Sequence, residues 1–96
     1  MSRLVVIHRP LADGASLALF AAFGTPDATI LLREDAVLLL RRPDFHEAIG
    51  RVRLLVLAPD LRARGLDELP TGVAEAVDYA GFVRACVEHD QIVNWT

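Results

Sequence analysis

The sequence predicts a three-layer α/β domain with a mostly parallel sheet of about five short strands flanked by helices. Two observations lead to this prediction. Short apolar runs alternate along the chain with short segments that carry helix start and stop signals. Crossovers between such strands are right-handed and place helices on both faces of the sheet. With 96 residues in all, the chain has room for one domain, which we assign to residues 1–96.

Three apolar runs predict the first three strands. They are residues 4–7, 28–32 and 52–57, of which the third is the clearest. None of them alternates apolar with polar residues, so both faces of these strands are expected to be buried.

Helix start and stop signals predict a helix between successive strands. The first predicted helix has Asp13 as its N-cap, and each of the next two begins at a Pro-Asp pair. The predicted ranges are residues 15–23, 43–49 and 59–64, and each is followed by a terminating glycine (Gly24, Gly50 and Gly65).

The remaining segments carry weaker signals. Residues 36–40 are apolar and fit either a strand or a helix. Residues 66–72 are predicted to be a loop, and residues 73–77 a weak fourth strand. Residues 91–95 fit either a last short strand or a docking tail.

An apolar stripe predicts a last helix that packs against the sheet. Its members follow the i, i+3, i+4, i+7, i+8 spacing of one helical face: Tyr79, Phe82, Val83, Cys86 and Val87. Cys86 is the only cysteine, and its place in the stripe favours a buried structural role. The alternative is a reactive thiolate with His89, at i+3, as its cationic neighbour.

Charge and composition exclude several function classes. Net charge is −3, and all ten basic residues are scattered arginines, so direct nucleic-acid binding is not expected. The absence of lysine excludes Schiff-base and P-loop chemistry. A single cysteine excludes an internal disulfide and fits a reducing compartment, and no apolar run reaches the roughly 20 residues that span a bilayer. We therefore expect a cytoplasmic protein with no membrane association.

The apolar content also bears on assembly. Hydrophobic residues make up 53% of the sequence, yet a domain of this size buries only about two thirds of its surface or less. The surplus predicts an apolar surface that a partner covers. A tightly packed domain with strands buried on both faces accounts for the same composition, so both interpretations stay open at this point.

The residues that follow the strands are candidates for chemistry, because ligands of parallel sheets bind beyond the carboxyl ends of the strands. These residues are His8, Arg9, Glu34, Asp35 and Asp60. The carboxylates form either an acidic metal pocket or, as we favour, helix caps and arginine pairs. Alternatively, three of these residues (His8, Glu34 and Asp60) hold a small ligand. The three histidines lack a zinc-binding spacing, and no glycine-rich phosphate loop follows the first strand, so no metal or cofactor is expected.

Five segments resemble the DsrH/TusB family, and the resemblance spans nearly the whole chain. Residues 57–66 (LAPDLRARGL) are similar to the family's L-x-x-D-L-x-A-R-G-L, and residues 77–83 follow them as in the family. Residues 89–95 resemble its H-D-x-V-x-W ending. Residues 32–37 resemble L-x-E-D-G-V with alanine in place of glycine, and residues 8–10 resemble N/H-K/R-S-P without the serine.

The resemblance implies a DsrE-like domain that assembles with two sister subunits, of the DsrE/DsrF or TusD/TusC type, into a heterohexamer. Such complexes relay persulfide sulfur either toward 2-thiolation of the tRNA wobble uridine or to and from dissimilatory sulfite reductase. In the second type this subunit carries a cysteine in its first helix, near the position of Leu19 and Phe20 here, where this sequence has none.

The expected function is therefore that of a non-catalytic subunit of the tRNA-type relay. A DsrH-type subunit of sulfur oxidation and a sulfurtransferase that uses Cys86 are the alternatives. Trp95 either fastens the tail or is buried against a neighbour. The interface or crevice candidates are His8, Arg9, Glu34, Asp35, Asp60, Arg64, Tyr79 and Trp95.

Overall fold

A five-stranded sheet organises the chain, and all four pairings between its strands are parallel. The computed structural model describes residues 2–9, 28–50, 52–66 and 74–95, with only the backbone for Ala48 and Trp95. The strand order is β4-β3-β2-β1-β5. The strands are β1 (Arg3–Ile7), β2 (Ala28–Leu32), β3 (Arg53–Leu57), β4 (Glu75–Val77) and β5 (Gln91–Trp95). The predicted α/β class with a parallel sheet is confirmed.

Helical segments connect β2 to β3, β3 to β4 and β4 to β5. A 3-10 helix (Glu34–Arg41) follows β2, and the α-helices are α1 (Pro43–Ile49), α2 (Ala58–Ala63) and α3 (Tyr79–Glu88). Gly50 and Gly65, the predicted stops of α1 and α2, have positive φ values of 61° and 69°, a conformation that glycine adopts without steric cost. The predicted first helix (residues 15–23) and most of the predicted loop (residues 66–72) lie outside the described residues.

Alternate residues of β1, β2 and β3 enter two separate cores. One core lies between the sheet and the 3-10 helix, α1 and α2; its strand residues are Val5, Ile7, Ile30, Leu32, Leu54 and Val56. The other lies beneath α3, with Leu4, Val6, Leu31 and Leu55 from the strands. Burying one such side chain stabilises the fold by about 1.5–3 kcal/mol, so an apolar residue is favoured at every position. This arrangement is the predicted three-layer architecture.

Two segments with open predictions adopt regular structure. The run at residues 36–40 lies within the 3-10 helix, which buries Ala36, Val37 and Leu39 against the first core. The segment at residues 91–95 is strand β5, which pairs in parallel with β1 from Arg3↔Gln91 to Ile7↔Trp95. The tail therefore extends the sheet.

The packing of α3 corrects one expectation. Phe82, Ala85 and Cys86 face the second core, but Tyr79, Val83 and Val87 are 59%, 63% and 80% exposed. The apolar stripe is wider than the contact with the sheet. Residues at i, i+3 and i+4 from Phe82 lie at the centre of the contact, whereas the other three lie on one flank of the helix.

No helix among the described residues is long and apolar enough to cross a membrane.

Candidate functional site

The carboxyl ends of β1 and β2 lie side by side. Ile7 is paired with Leu32, and the Arg33 N–H donates to the Ile7 carbonyl over 3.0 Å. Half-buried His8 and exposed Arg9 follow Ile7 directly. His8 and Arg33 thus occupy neighbouring positions at one edge of the sheet.

An ion-pair cluster lies beside this edge, between the start of the 3-10 helix and α2. The Asp60 carboxylate accepts a hydrogen bond from the Glu34 N–H over 2.7 Å. The Arg64 guanidinium donates to Asp35 Oδ1 from Nε, over 3.0 Å, and its Nη2 lies 2.9 Å from the same oxygen. Arg64 Nη1 also donates to the Asp60 carbonyl over 3.2 Å. The predicted residues Glu34, Asp35, Asp60 and Arg64 therefore come together. The Asp35 carboxylate is paired with Arg64, and the Asp60 carboxylate binds a backbone N–H.

The Asp60 bond supports an unusual backbone. Glu34 has a φ of 53°, the one positive φ of a non-glycine residue among those described. A residue in the left-handed region costs roughly 1 kcal/mol or more unless its surroundings support it. The Glu34 N–H donates a charge-assisted hydrogen bond to the Asp60 carboxylate of α2, and Arg64, which follows that helix, binds Asp35. These contacts supply the support. The residues of this cluster belong to two of the family-like segments, 32–37 and 57–66. They join the 3-10 helix to α2.

The Arg33 side chain contacts α3, whereas Glu34 and Asp35 contact α2 and Arg64. Its guanidinium carbon lies 5.3 Å from the centre of the Phe82 ring on α3, within range of a cation–π contact. Its Nε is buried and has no hydrogen-bond partner in the described part of the chain. The sequence alone did not predict this contact, although alternation from buried Leu32 places Arg33 on the α3 side of the sheet.

His89 is fixed by two partners, neither of which is Cys86. Its Nδ1 lies 2.6 Å from the Ala85 carbonyl, and its Nε2 lies 3.0 Å from Thr29 Oγ1. A carbonyl can only accept, so Nδ1 donates, and in the neutral ring Nε2 accepts from the threonine hydroxyl. Thr29 is the buried polar residue of the described chain. The i+3 spacing therefore does not make His89 an activating partner of the thiol.

Asp90, which follows His89 in the H-D motif, binds Ser2 at the amino ends of strands β5 and β1. The Ser2 N–H donates to Asp90 Oδ2, and the Asp90 N–H donates to Ser2 Oγ, each over 3.1 Å. This reciprocal pair fastens the start of β5 to the start of β1. This pair was not predicted, because a separation of 88 residues leaves no local spacing signal in the sequence.

Cys86 is half-buried on α3 and packs against the core beneath that helix. That core includes Leu4 and Leu31, and Phe82 packs against it as Cys86 does. This position agrees with a structural cysteine, the interpretation that the sequence analysis favoured.

The other predicted site residues are spread over the fold. Tyr79 is exposed at the start of α3. The backbone of Trp95 lies beside Ile7 at the carboxyl edge, and its side chain lies outside the described residues. Among the residues that the structure describes, no three histidine, cysteine or carboxylate side chains are grouped as metal ligands.

Comparisons with known proteins agree with the fold and the motifs. The chain of the ychN protein from E. coli superposes with a TM-score of 0.74, over 99% of this chain and 100% of that one, at 17% identity. This likeness shows a DsrE-like fold. Protein TusB of Pectobacterium parmentieri is 37% identical over 71 residues, which are 72% of this chain and 75% of that protein. The model of the family described as DsrH like protein matches residues 10–92. The chain therefore belongs to the DsrH/TusB family of sulfur-relay proteins.

Proposed function

We propose that this chain is a non-catalytic subunit of a sulfur-relay complex that supports persulfide transfer for 2-thiolation of the tRNA wobble uridine. The observation that carries the proposal is the setting of Cys86, the single cysteine of the sequence. This residue lies half-buried between α3 and the sheet.

Persulfide transfer makes specific demands on a cysteine. A thiolate attacks the outer sulfur of a persulfide, so the carrier needs exposure and a neighbour that stabilises its anion. His89 is engaged by Ala85 and Thr29, and Cys86 packs against apolar side chains. These features favour a chain that shapes the relay while other subunits hold the sulfur.

The choice of pathway rests on a sequence difference. The resemblance to the sulfur-oxidation type implies a cysteine in the first helix, and this chain has Leu19 and Phe20 near that position. The similarity to a protein named TusB favours the tRNA pathway. The sister subunits implied by the resemblance would supply the persulfide-carrying thiols.

A reconstituted relay tests the proposal. The assay combines this chain with two sister subunits of the TusD and TusC type, a cysteine desulfurase, tRNA and the enzyme that thiolates the wobble uridine. The 2-thiouridine formed in the tRNA is measured. Omission of the chain should abolish thiolation, whereas Cys86→Ser should retain the wild-type rate. Full thiolation without the chain would contradict the proposed support role. Loss of activity in a folded Cys86→Ser variant would instead identify a sulfurtransferase that uses Cys86.

A further inference from the structure

The Arg33 guanidinium lacks close hydrogen-bond acceptors. Its Nε is buried and has no partner in the described part of the chain. Its ion-pair partner, Glu34 Oε1, lies 3.9 Å from Nη2, which is too long for a hydrogen bond. The side chain is only 30% exposed, so little water replaces the missing acceptors. The guanidinium therefore has donor capacity that the described residues do not use.

Three other arginines show what Arg33 lacks. Arg42, Arg53 and Arg64 each donate to a carboxylate oxygen within 3.2 Å. Arg33 is held instead by Phe82, whose ring centre lies 5.3 Å from the guanidinium carbon. The ring attracts the positive charge but supplies no oxygen acceptor. Phe82 thus fixes the position of the guanidinium without pairing its charge.

This arginine lies where parallel sheets bind their ligands. Such ligands bind beyond the carboxyl ends of the strands, at the point where the strand order reverses direction. Strands β2, β3 and β4 follow β1 on one side, and β5 lies on its other side, so the reversal occurs at β1. His8 follows β1 and Arg33 follows β2, directly after the paired residues Ile7 and Leu32.

His8 brings a second donor to the same place. Ile7 and Leu32 both belong to the first core, so strand alternation places His8 and Arg33 together on the α3 side of the sheet. The half-buried His8 ring has an N–H donor in its neutral and in its charged form. Exposed Arg9 follows and adds positive charge to this edge.

The neighbouring carboxylates leave most of this charge available. Asp35 is bound by Arg64, and Asp60 accepts the Glu34 N–H. The Glu34 side chain is 56% exposed and is the acid that lies nearest to Arg33 without a hydrogen bond to it. N–H donors and positive charge together require a ligand that accepts hydrogen bonds and is negatively charged.

We propose that the carboxyl edge at His8 and Arg33 is a binding site for an oxyanion, a carboxylate or a phosphate group. The two Nη groups of Arg33 donate to two oxygens of the anion, the geometry in which guanidinium groups bind both classes. The His8 N–H donates to the same anion, and the Glu34 carboxylate competes with it for Arg33. The proposed function does not use this site, so failure of either leaves the other standing.

Titration of the uniformly 15N-labelled full chain with inorganic phosphate, and separately with acetate, tests the proposal. The Arg33 Nε–H signal and the His8 amide signal are followed by NMR at constant ionic strength, set with sodium chloride. We expect both signals to shift saturably with at least one probe. A tighter response to phosphate identifies a phosphate site, and a tighter response to acetate identifies a carboxylate site. The absence of a saturable shift with both probes would overturn the proposal.

Variants assign the binding to Arg33. Followed at the His8 amide, Arg33→Lys should bind about tenfold more weakly, because an ammonium cannot donate two parallel hydrogen bonds to one anion. Glu34→Gln removes the competing carboxylate and should bind about two- to fivefold more tightly at low salt.

The matched control is Arg62→Lys, at an exposed arginine of α2, and it should bind like wild type. Thermal unfolding shows that each variant is folded. Equal weakening by Arg33→Lys and Arg62→Lys would mean a general attraction to the surface charge and would overturn the site. Weaker binding by folded Glu34→Gln would overturn the competition between Glu34 and the anion.

Discussion

His89 joins the end of α3 to strand β2 through its two ring nitrogens. Nδ1 donates to the carbonyl of Ala85, and Nε2 contacts the hydroxyl of Thr29, sixty residues earlier in the chain. Thr29 is buried, and among the described residues His89 is the side-chain partner of its hydroxyl. The histidine of the H-D motif therefore has a structural role.

Replacing His89 should destabilise the fold. In His89→Ala the Thr29 hydroxyl stays buried without a partner, so we expect the free energy of unfolding to fall by about 1–3 kcal/mol. Urea unfolding measures the change. Thr29→Val should cost less, because a methyl group replaces the hydroxyl and the imidazole left behind is half-buried.

The double variant provides the control. If His89 and Thr29 act as a pair, their effects are not additive, and a double-mutant cycle gives a coupling energy. Additive effects, or a His89→Ala variant as stable as wild type, would show that the contact does not contribute.

The sequence could predict the position of His89 but not its partners. The i+3 spacing from Cys86 placed both residues on one helix and suggested a thiol–imidazole pair, but His89 is the C-cap that follows α3 and has an extended backbone. The carbonyl at i−4 and a hydroxyl on a distant strand compete for the same ring, and no local pattern encodes a contact across 60 residues. The Ser2–Asp90 pair escaped prediction for the same reason.

At the scale of elements, the Asp60 side chain joins α2 to the start of the 3-10 helix. It accepts the Glu34 N–H at the one described non-glycine residue with positive φ. Asp60→Ala removes that acceptor, and we expect a loss of about 1–2 kcal/mol in unfolding free energy. Asp60→Asn keeps an oxygen acceptor and should lose less. Equal stability of wild type and Asp60→Ala would contradict this role.

The start of α1 carries a pH-dependent contribution to stability. The Arg42 guanidinium donates two hydrogen bonds to the Asp44 carboxylate, over 3.1 and 2.6 Å, and thereby holds the pKa of that carboxyl below its ordinary value of 3.8. Since the folded-state pKa is lowered, the stabilisation is complete above the unfolded-state pKa. It is lost as the pH falls through the lower folded-state pKa.

Asp44→Asn should therefore destabilise the chain at about pH 7 and have a smaller effect at a pH well below 3.8, the ordinary pKa of the carboxyl, where this contribution is lost. Chemical unfolding at the two pH values measures the difference. In Arg42→Ala, the titration midpoint of Asp44, followed by NMR, should rise. An effect of Asp44→Asn that does not change with pH would contradict this interpretation.

Local signals predicted most elements, because each depends on a few adjacent residues. The Pro-Asp starts and the glycines at 50 and 65 gave α1 and α2 nearly to the residue. The apolar run at residues 36–40 could not be assigned, because a short run has the same pattern in a strand and in a buried helical turn. The exposure of Tyr79, Val83 and Val87 was not predicted, because the spacing of an apolar stripe does not show how much of its width packs on the sheet.

For the whole molecule, strand order is the feature that no single segment encodes. Strand β5 returns to lie beside β1, and the chain end thereby joins the carboxyl edge where His8 and Arg33 lie. The surplus of apolar residues had two interpretations, buried strands and an apolar surface for a partner; the first is confirmed and the second stays a prediction. The strands bury apolar residues on both faces, and Tyr79, Val83 and Val87 remain exposed on α3.

The central claim is that the chain supports sulfur transfer without holding the sulfur. The chain and its sister subunits are incubated with a cysteine desulfurase and cysteine, and the intact mass of each subunit is measured without reductant. The claim predicts a gain of one or more sulfur atoms on a sister subunit and none on this chain. A persulfide on Cys86 of this chain, absent in Cys86→Ser and passed on to the next acceptor, would contradict it.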